Sequence, residues 1–186
     1  MKYANLILGV ILLAVSFNPV GVGANERNMF NDLNKLRSRL NLAPLEIDPL
    51  LMLHARKYAK DMRDFQSVPD MANHTSPNYG TFMDRVERDY RPLAERPWYA
   101  ENIAAAPTER HAFTNFTNSP GHYGTMVNPK ATQVGIGMAE GGLNRQSYVQ
   151  HFSDKKTPLS VLAKKRMIKM PEETRQQFMN MYRGSK

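Results

Sequence analysis

Ser119 and His122 stand three residues apart, a spacing at which a hydroxyl and an imidazole can work as nucleophile and base. The residues between them argue for something simpler. Pro120-Gly121 is turn chemistry that ends a helix, and Ser119 then reads as a capping or locally bonded hydroxyl. No Gly-x-Ser-x-Gly occurs, so the sharp elbow that exposes a hydrolase serine has no counterpart. His-Glu-x-x-His is also missing, and Gly135-Ile136-Gly137 lacks the third glycine and the helix of a dinucleotide loop. Those glycines are better explained by a strand that bulges or lies close against another backbone. The chain has no cysteine. Disulfide frameworks, Cys-ligated zinc, iron–sulfur clusters and thiol nucleophiles are therefore excluded. Imidazole, carboxylate and hydroxyl groups remain, scattered along the chain, and only a fold can gather them.

The elements that would do so are partly legible. Met29, Leu33, Leu36 and Leu40 recur on one face of a helix between Asn28 and Asn41. Asp48-Pro49 is a cap followed by a first-turn proline, opening a helix to about Phe65. Leu51, Ala55, Tyr58, Met62 and Phe65 form its expected buried stripe, with His54, Lys57, Lys60 and Asp61 toward solvent. Gln66 to Gly80 reads as loop, and Phe82 to Arg88 as a short helix burying Phe82 and Val86. Thr108 caps a helix that ends near Asn118, with Glu109 in its first turn. Val134, Ile136 and Met138 alternate in a strand from Gln133 to Ala139, and a second strand runs from Ser147 to Phe152. The two pair as an antiparallel hairpin. Helices and strands mix without strict alternation, which indicates an α+β fold.

Composition bounds the setting. A chain of 186 residues with 25 Lys and Arg against 17 Asp and Glu, net charge +8, is one basic domain with extensions. Residues 1–24 read as a secretory signal peptide. Lys2 gives the positive start, Leu6 to Val15 the apolar run, and Val22-Gly23-Ala24 a cleavage site after Ala24. The apolar run is short for a membrane span. Export without cysteines favours a bacterial protein, secreted or periplasmic, with no transmembrane segment in the mature chain.

Short motifs from Leu33 to Phe152 then line up in a characteristic order. They are Leu33-Asn34 with Arg37, Leu45 and Asp48, Ala59 with Asp61-Met62, and His74-Thr75-Ser76-Pro77. Tyr79-Gly80, Arg85-Val86, Glu101-Asn102-Ile103-Ala104 and Asn118-Ser119-Pro120-Gly121-His122 follow, and Val134-Gly135-Ile136-Gly137 and Tyr148-Val149-Gln150-His151-Phe152 close the series. In this the chain resembles the CAP superfamily of SCP-like extracellular proteins, and within it the cysteine-free bacterial branch. The resemblance implies a three-layer α-β-α sandwich at residues 25–152 with an open cleft; residues 153–186 lie outside it and read as a basic extension. It places His74, Glu101 and His122 in that cleft, with Asn102 and Ser119 beside them. Ser119 stands where the family usually has a second acid, and Glu109 is not its equivalent.

The implied chemistry has several readings. His74 and His122 could hold a divalent metal such as zinc. A hydrogen-bonded His–Glu pair could equally serve to hold the cleft loops together. Glu101 and His122 are the candidates if the protein is a hydrolase, peptide- or glycan-directed, working through an activated water. The leading reading is a binding module for a small-molecule, lipid or cell-envelope ligand. Asn102 is expected to satisfy loop backbone groups. Trp98 and Tyr99 cover the core or line the cleft, and Arg85 either pairs with a carboxylate under the cleft or is exposed. Lys155, Lys156, Lys164, Lys165, Arg166 and Lys169 form a basic run without acids. It reads as a solvated extension or as a patch for an anionic surface. No nucleic acid is expected, since no aromatics interleave with the basic residues.

Overall fold

The computed structural model describes residues 22–65, 74–89, 98–141 and 145–154. Most of the expected signal peptide and nearly all of the expected basic extension lie outside the described residues. Helix α1 spans Ala24–Arg39. Strand β1 is Glu46–Ile47, and α2 is Pro49–Asp64. A small hairpin follows, β2 at Thr75–Ser76 and β3 at Gly80–Thr81, leading into α3 at Phe82–Asp89. Strand β4 is Tyr99–Ala106, α4 is Glu109–Asn118 and α5 is Pro120–Met126. Strands β5, Gln133–Ala139, and β6, Gln146–Ser153, complete the domain.

The main sheet has the order β1-β5-β6-β4. Strand β1 runs parallel to β5, and the other pairs are antiparallel. Strand alternation divides the core into two layers. Val134, Ile136, Tyr148 and Phe152 face Met29, Leu33, Ala112, Phe116 and Met126 of α1, α4 and α5. On the opposite face Ile103, Ala139 and Val149 meet Ala55, Tyr58, Ala59 and Met62 of α2. Helices thus cover both faces, the α-β-α sandwich of the CAP type.

Gly135 and Gly137 bring α2 onto the sheet. A Cβ on Gly135 would stand 2.0 Å from the Leu51 carbonyl carbon, and one on Gly137 would stand 2.1 Å from that of Ala55. Those glycines serve close backbone approach, as expected. The caps of α2 and α4 are as expected too. Asp48 accepts from the Leu51 amide, and Thr108 from the His111 amide.

Several expectations fail for identifiable reasons. Asp61 is buried rather than solvent-facing, because it holds the β2–β3 hairpin: Ser76 Oγ and Asn78 Nδ2 both donate to it. Leu40 is exposed because α1 stops at Arg39 and Leu40 becomes its cap. Arg85, rather than Phe82, joins Val86 as a buried side chain of α3. Pro120-Gly121 ends α4 but also starts α5, so Ser119 caps both helices through its backbone. Strand β4 went unforeseen. Its alanines carry little strand propensity, and its identity comes from eight paired positions along β6.

Candidate functional site

Strand β4 lies at the edge of the described sheet, and its consecutive residues Glu101 and Asn102 point to opposite faces. On the α2 face Glu101 lies opposite His151 in register. The Glu101 side chain is 1% exposed, and four short contacts surround it. His74 Nδ1 lies 2.8 Å from Oε1, and His151 Nε2 lies 2.6 Å from Oε2. Arg85 Nη2 donates to both oxygens, at 2.8 and 2.6 Å. Burial alone would push this carboxyl upward. The hydrogen bonds from His151 and His74, with the charges of His151 and Arg85, outweigh it and hold the group at about 2. Glu101 is therefore an ionised acceptor near neutral pH, and the ring nitrogens that face it carry hydrogen. In the neutral ring of His74 this puts the proton on Nδ1 and leaves Nε2 to offer a lone pair.

His74 is held in an uncommon backbone state, φ 63°, in the left-handed region that non-glycine residues seldom adopt. Its side chain is 36% exposed. Its carbonyl accepts from Arg85 Nη1 at 3.0 Å, and the Gly80 carbonyl accepts from the same nitrogen at 2.9 Å. Gly80 also has positive φ, 76°. Both ends of the hairpin segment therefore hang on one guanidinium, which stacks 3.7 Å over the Tyr58 ring. Arg85 is the carboxylate's partner, the first of its two sequence readings.

On the other face Asn102 donates from Nδ2 to the His122 carbonyl and to Gln150 Oε1, both at 3.1 Å. The amide thus satisfies a backbone group, as expected, and ties α5 to the edge strand. The His122 ring meets Phe116 edge-on, with centroids 5.3 Å apart. Burial first, and the nearby His74 charge second, lower its pKa. His122 is thus tied to β4 through its carbonyl, on the face opposite Glu101. Ser119 is half-buried at the junction of α4 and α5. Its side chain makes no cap bond. Trp98 packs against the α1/α4 core, and its amide donates to Asp154. A surface cavity of about 560 Å³ lies along Asn31, Asn34, Lys35, Ser38 and Arg39 of α1 and shares no residue with this cluster.

Sequence reasoning missed His151 as part of the site. The signal was present: His151 stands in phase with Val149, a polar residue on the buried side of a strand. Among the described residues no group of three or more His, Asp or Glu is arranged to hold a metal ion. Glu101 is engaged by Arg85, His74 and His151. Among the described residues no helix is long and apolar enough to cross a membrane.

Known proteins carry the same architecture. YkwD of Bacillus subtilis strain 168 is 31% identical over 128 residues, covering 67% of this chain. The chain spans only 46% of the length of that relative. An extracellular protein containing a SCP domain from Bacillus anthracis superposes with TM-score 0.55 at 32% identity, covering 69% of this chain and 40% of the other. An outer surface protein of Borrelia burgdorferi superposes with TM-score 0.60 at 23% identity, over 71% of this chain and 93% of the other, which supports the fold alone. Residues 30–152 match the cysteine-rich secretory protein family, CAP, and the chain belongs to that family.

Proposed function

We propose that this protein is a binding domain of the cell envelope or extracellular space, and that its cleft holds a divalent cation or a small polar or lipid ligand through His74 and His122. The observation that carries this is the Nδ1 contact of His74 with Glu101, which leaves Nε2 for a ligand. A carboxylate behind a histidine is the arrangement that orients and strengthens an imidazole as a metal ligand. The lowered pKa of His122 supports the same use, because only a neutral imidazole ligates. Zinc suits a pair of imidazoles, with water or ligand oxygen completing its shell. Asn102 steadies His122 through its backbone, and Ser119 offers a hydroxyl nearby. The extracellular Bacillus anthracis relative supports the location. The basic extension would add attraction to anionic lipid or envelope polymer.

The hydrolase reading draws less support. A carboxyl at about 2, paired with a guanidinium, is a weak base near neutral pH, so water activation would fall to a histidine. Calorimetric titration of the tag-free chain with zinc tests the proposal. One ion should bind, and the double variant His74→Ala/His122→Ala should abolish the signal. Equal binding by both proteins, or none by the parent, overturns the cation reading. A robust peptidase or glycosidase activity that Glu101→Gln eliminates would favour the enzyme.

A further inference from the structure

We propose that Arg85 is the positioning residue of the cleft: one guanidinium sets both the backbone and the ring of His74, so that Nε2 is the atom presented to a ligand. The inference rests on the reading of His74 as a ligand-binding imidazole and names what holds it there.

Two independent paths run from Arg85 to His74. Through Nη1 it donates directly to the His74 carbonyl at 3.0 Å, in a residue whose φ of 63° costs energy to maintain. Through Nη2 it grips both oxygens of Glu101, whose Oε1 meets Nδ1 of the same histidine. The first path places the Cα, and the second turns the ring. Arg85 is itself over-determined. It is 5% exposed, stacked on Tyr58, and it also carries the Gly80 carbonyl at the far end of the hairpin. Its Nε is buried with no hydrogen-bond partner among the described residues, so its orientation follows from the Nη contacts and the ring stack. Lysine offers one nitrogen where two, set in a rigid plane, are required.

Nitrogen-15 NMR of the histidine rings tests this without any ligand. In the parent protein at pH 8, His74 should show a single Nδ1–H tautomer. Arg85→Lys, which keeps the charge, should mix the tautomers and broaden the signal. His151→Gln, which leaves the Arg85 contacts in place, should not. Cobalt(II) binding, followed by its absorption spectrum, should weaken about 10- to 100-fold in Arg85→Lys.

If Arg85→Lys retains the parental tautomer and linewidth, the positioning role is wrong. An Nε2–H tautomer in the parent overturns it as well, even if the variant fails to fold. A locked parental tautomer that is lost in Arg85→Lys, in a protein that binds no cobalt, leaves Arg85 as the positioning residue and removes the cation reading alone.

Discussion

Two buried arginines make opposite use of the same chemical group. Arg37 of α1 is 0% exposed. Its hydrogen-bond acceptors are all carbonyls: Ala43 on Nε, Met126 and Asn128 on Nη1, and Ala131 on Nη2. Arg85 of α3 holds a carboxylate, two carbonyls and an aromatic face, and through Glu101 it reaches two histidines. The Arg37 cluster joins the end of α1 to the loop after α5 and presents nothing to a ligand. The Arg85 cluster ends in a partly exposed imidazole. It also contains buried polar atoms without partners among the described residues, Arg85 Nε and His151 Nδ1. A core arginine satisfies its surroundings; a site arginine organises groups that remain available for chemistry.

The sharpest break would come at Arg37. Arg37→Met removes the donors of four buried or half-buried carbonyls at once. The Asn128 carbonyl keeps its bond from the Ala131 amide; each of the other three, left unsatisfied, costs about 1–3 kcal/mol, for a total loss of about 3–9 kcal/mol. Denaturant unfolding should show the same loss at pH 7 and pH 4, since no carboxylate is among the hydrogen-bond partners. A clearly pH-dependent loss would show that Arg37 has a titrating partner and would erase the contrast.

Glu101→Gln comes next. It leaves Arg85 without its counter-charge, which costs about 3–5 kcal/mol for a buried pair. Here pH matters. The folded pKa, about 2, lies below the usual 4.5, so this carboxylate contributes stability in full above about pH 4.5. That contribution, on the order of 3 kcal/mol, fades as the pH falls toward 2. The gap between parent and Glu101→Gln should therefore narrow in acid. A constant gap from pH 7 to pH 3 would mean that Glu101 is not the titrating member.

The same contrast explains what could be read in advance. Long amphipathic stripes and caps announced α1, α2 and α4, because helix periodicity and cap chemistry are local. The Arg37 site was opaque, since its carbonyl acceptors are backbone groups that leave no trace in residue type. Glu101, His74 and His122 stand out as candidates through their motifs. Their geometry was not legible, because β4 is built largely of alanines and gains its strand identity from β6. Arg85 was half-legible, and its reach to two hairpin carbonyls depends on the left-handed turns at His74 and Gly80. His151 was present in the strand pattern as a polar residue in a buried phase.

His151 gives the smallest predicted effect and the finest test. His151→Phe keeps a ring against Phe82, whose centroid lies 5.7 Å away, and removes the 2.6 Å donor to Glu101. A hydrogen bond to a charged group contributes about 1.5–3 kcal/mol. The substitution also removes the buried Nδ1 that lacks a partner, which offsets part of that. The net loss near neutral pH should be about 1 kcal/mol, well short of the loss in Glu101→Gln. The acid limb should move as well. With one stabilising donor gone, the folded pKa of Glu101 rises toward its unfolded value. The stability lost in acid is then smaller in total, and the loss is complete at a higher pH than in the parent. His151→Gln, which can return an Nε2 donor to the carboxylate, should restore the parental limb. If His151→Phe were as damaging as Glu101→Gln, His151 would share the counter-charge role with Arg85. The site would then rest on two cations rather than on one arginine.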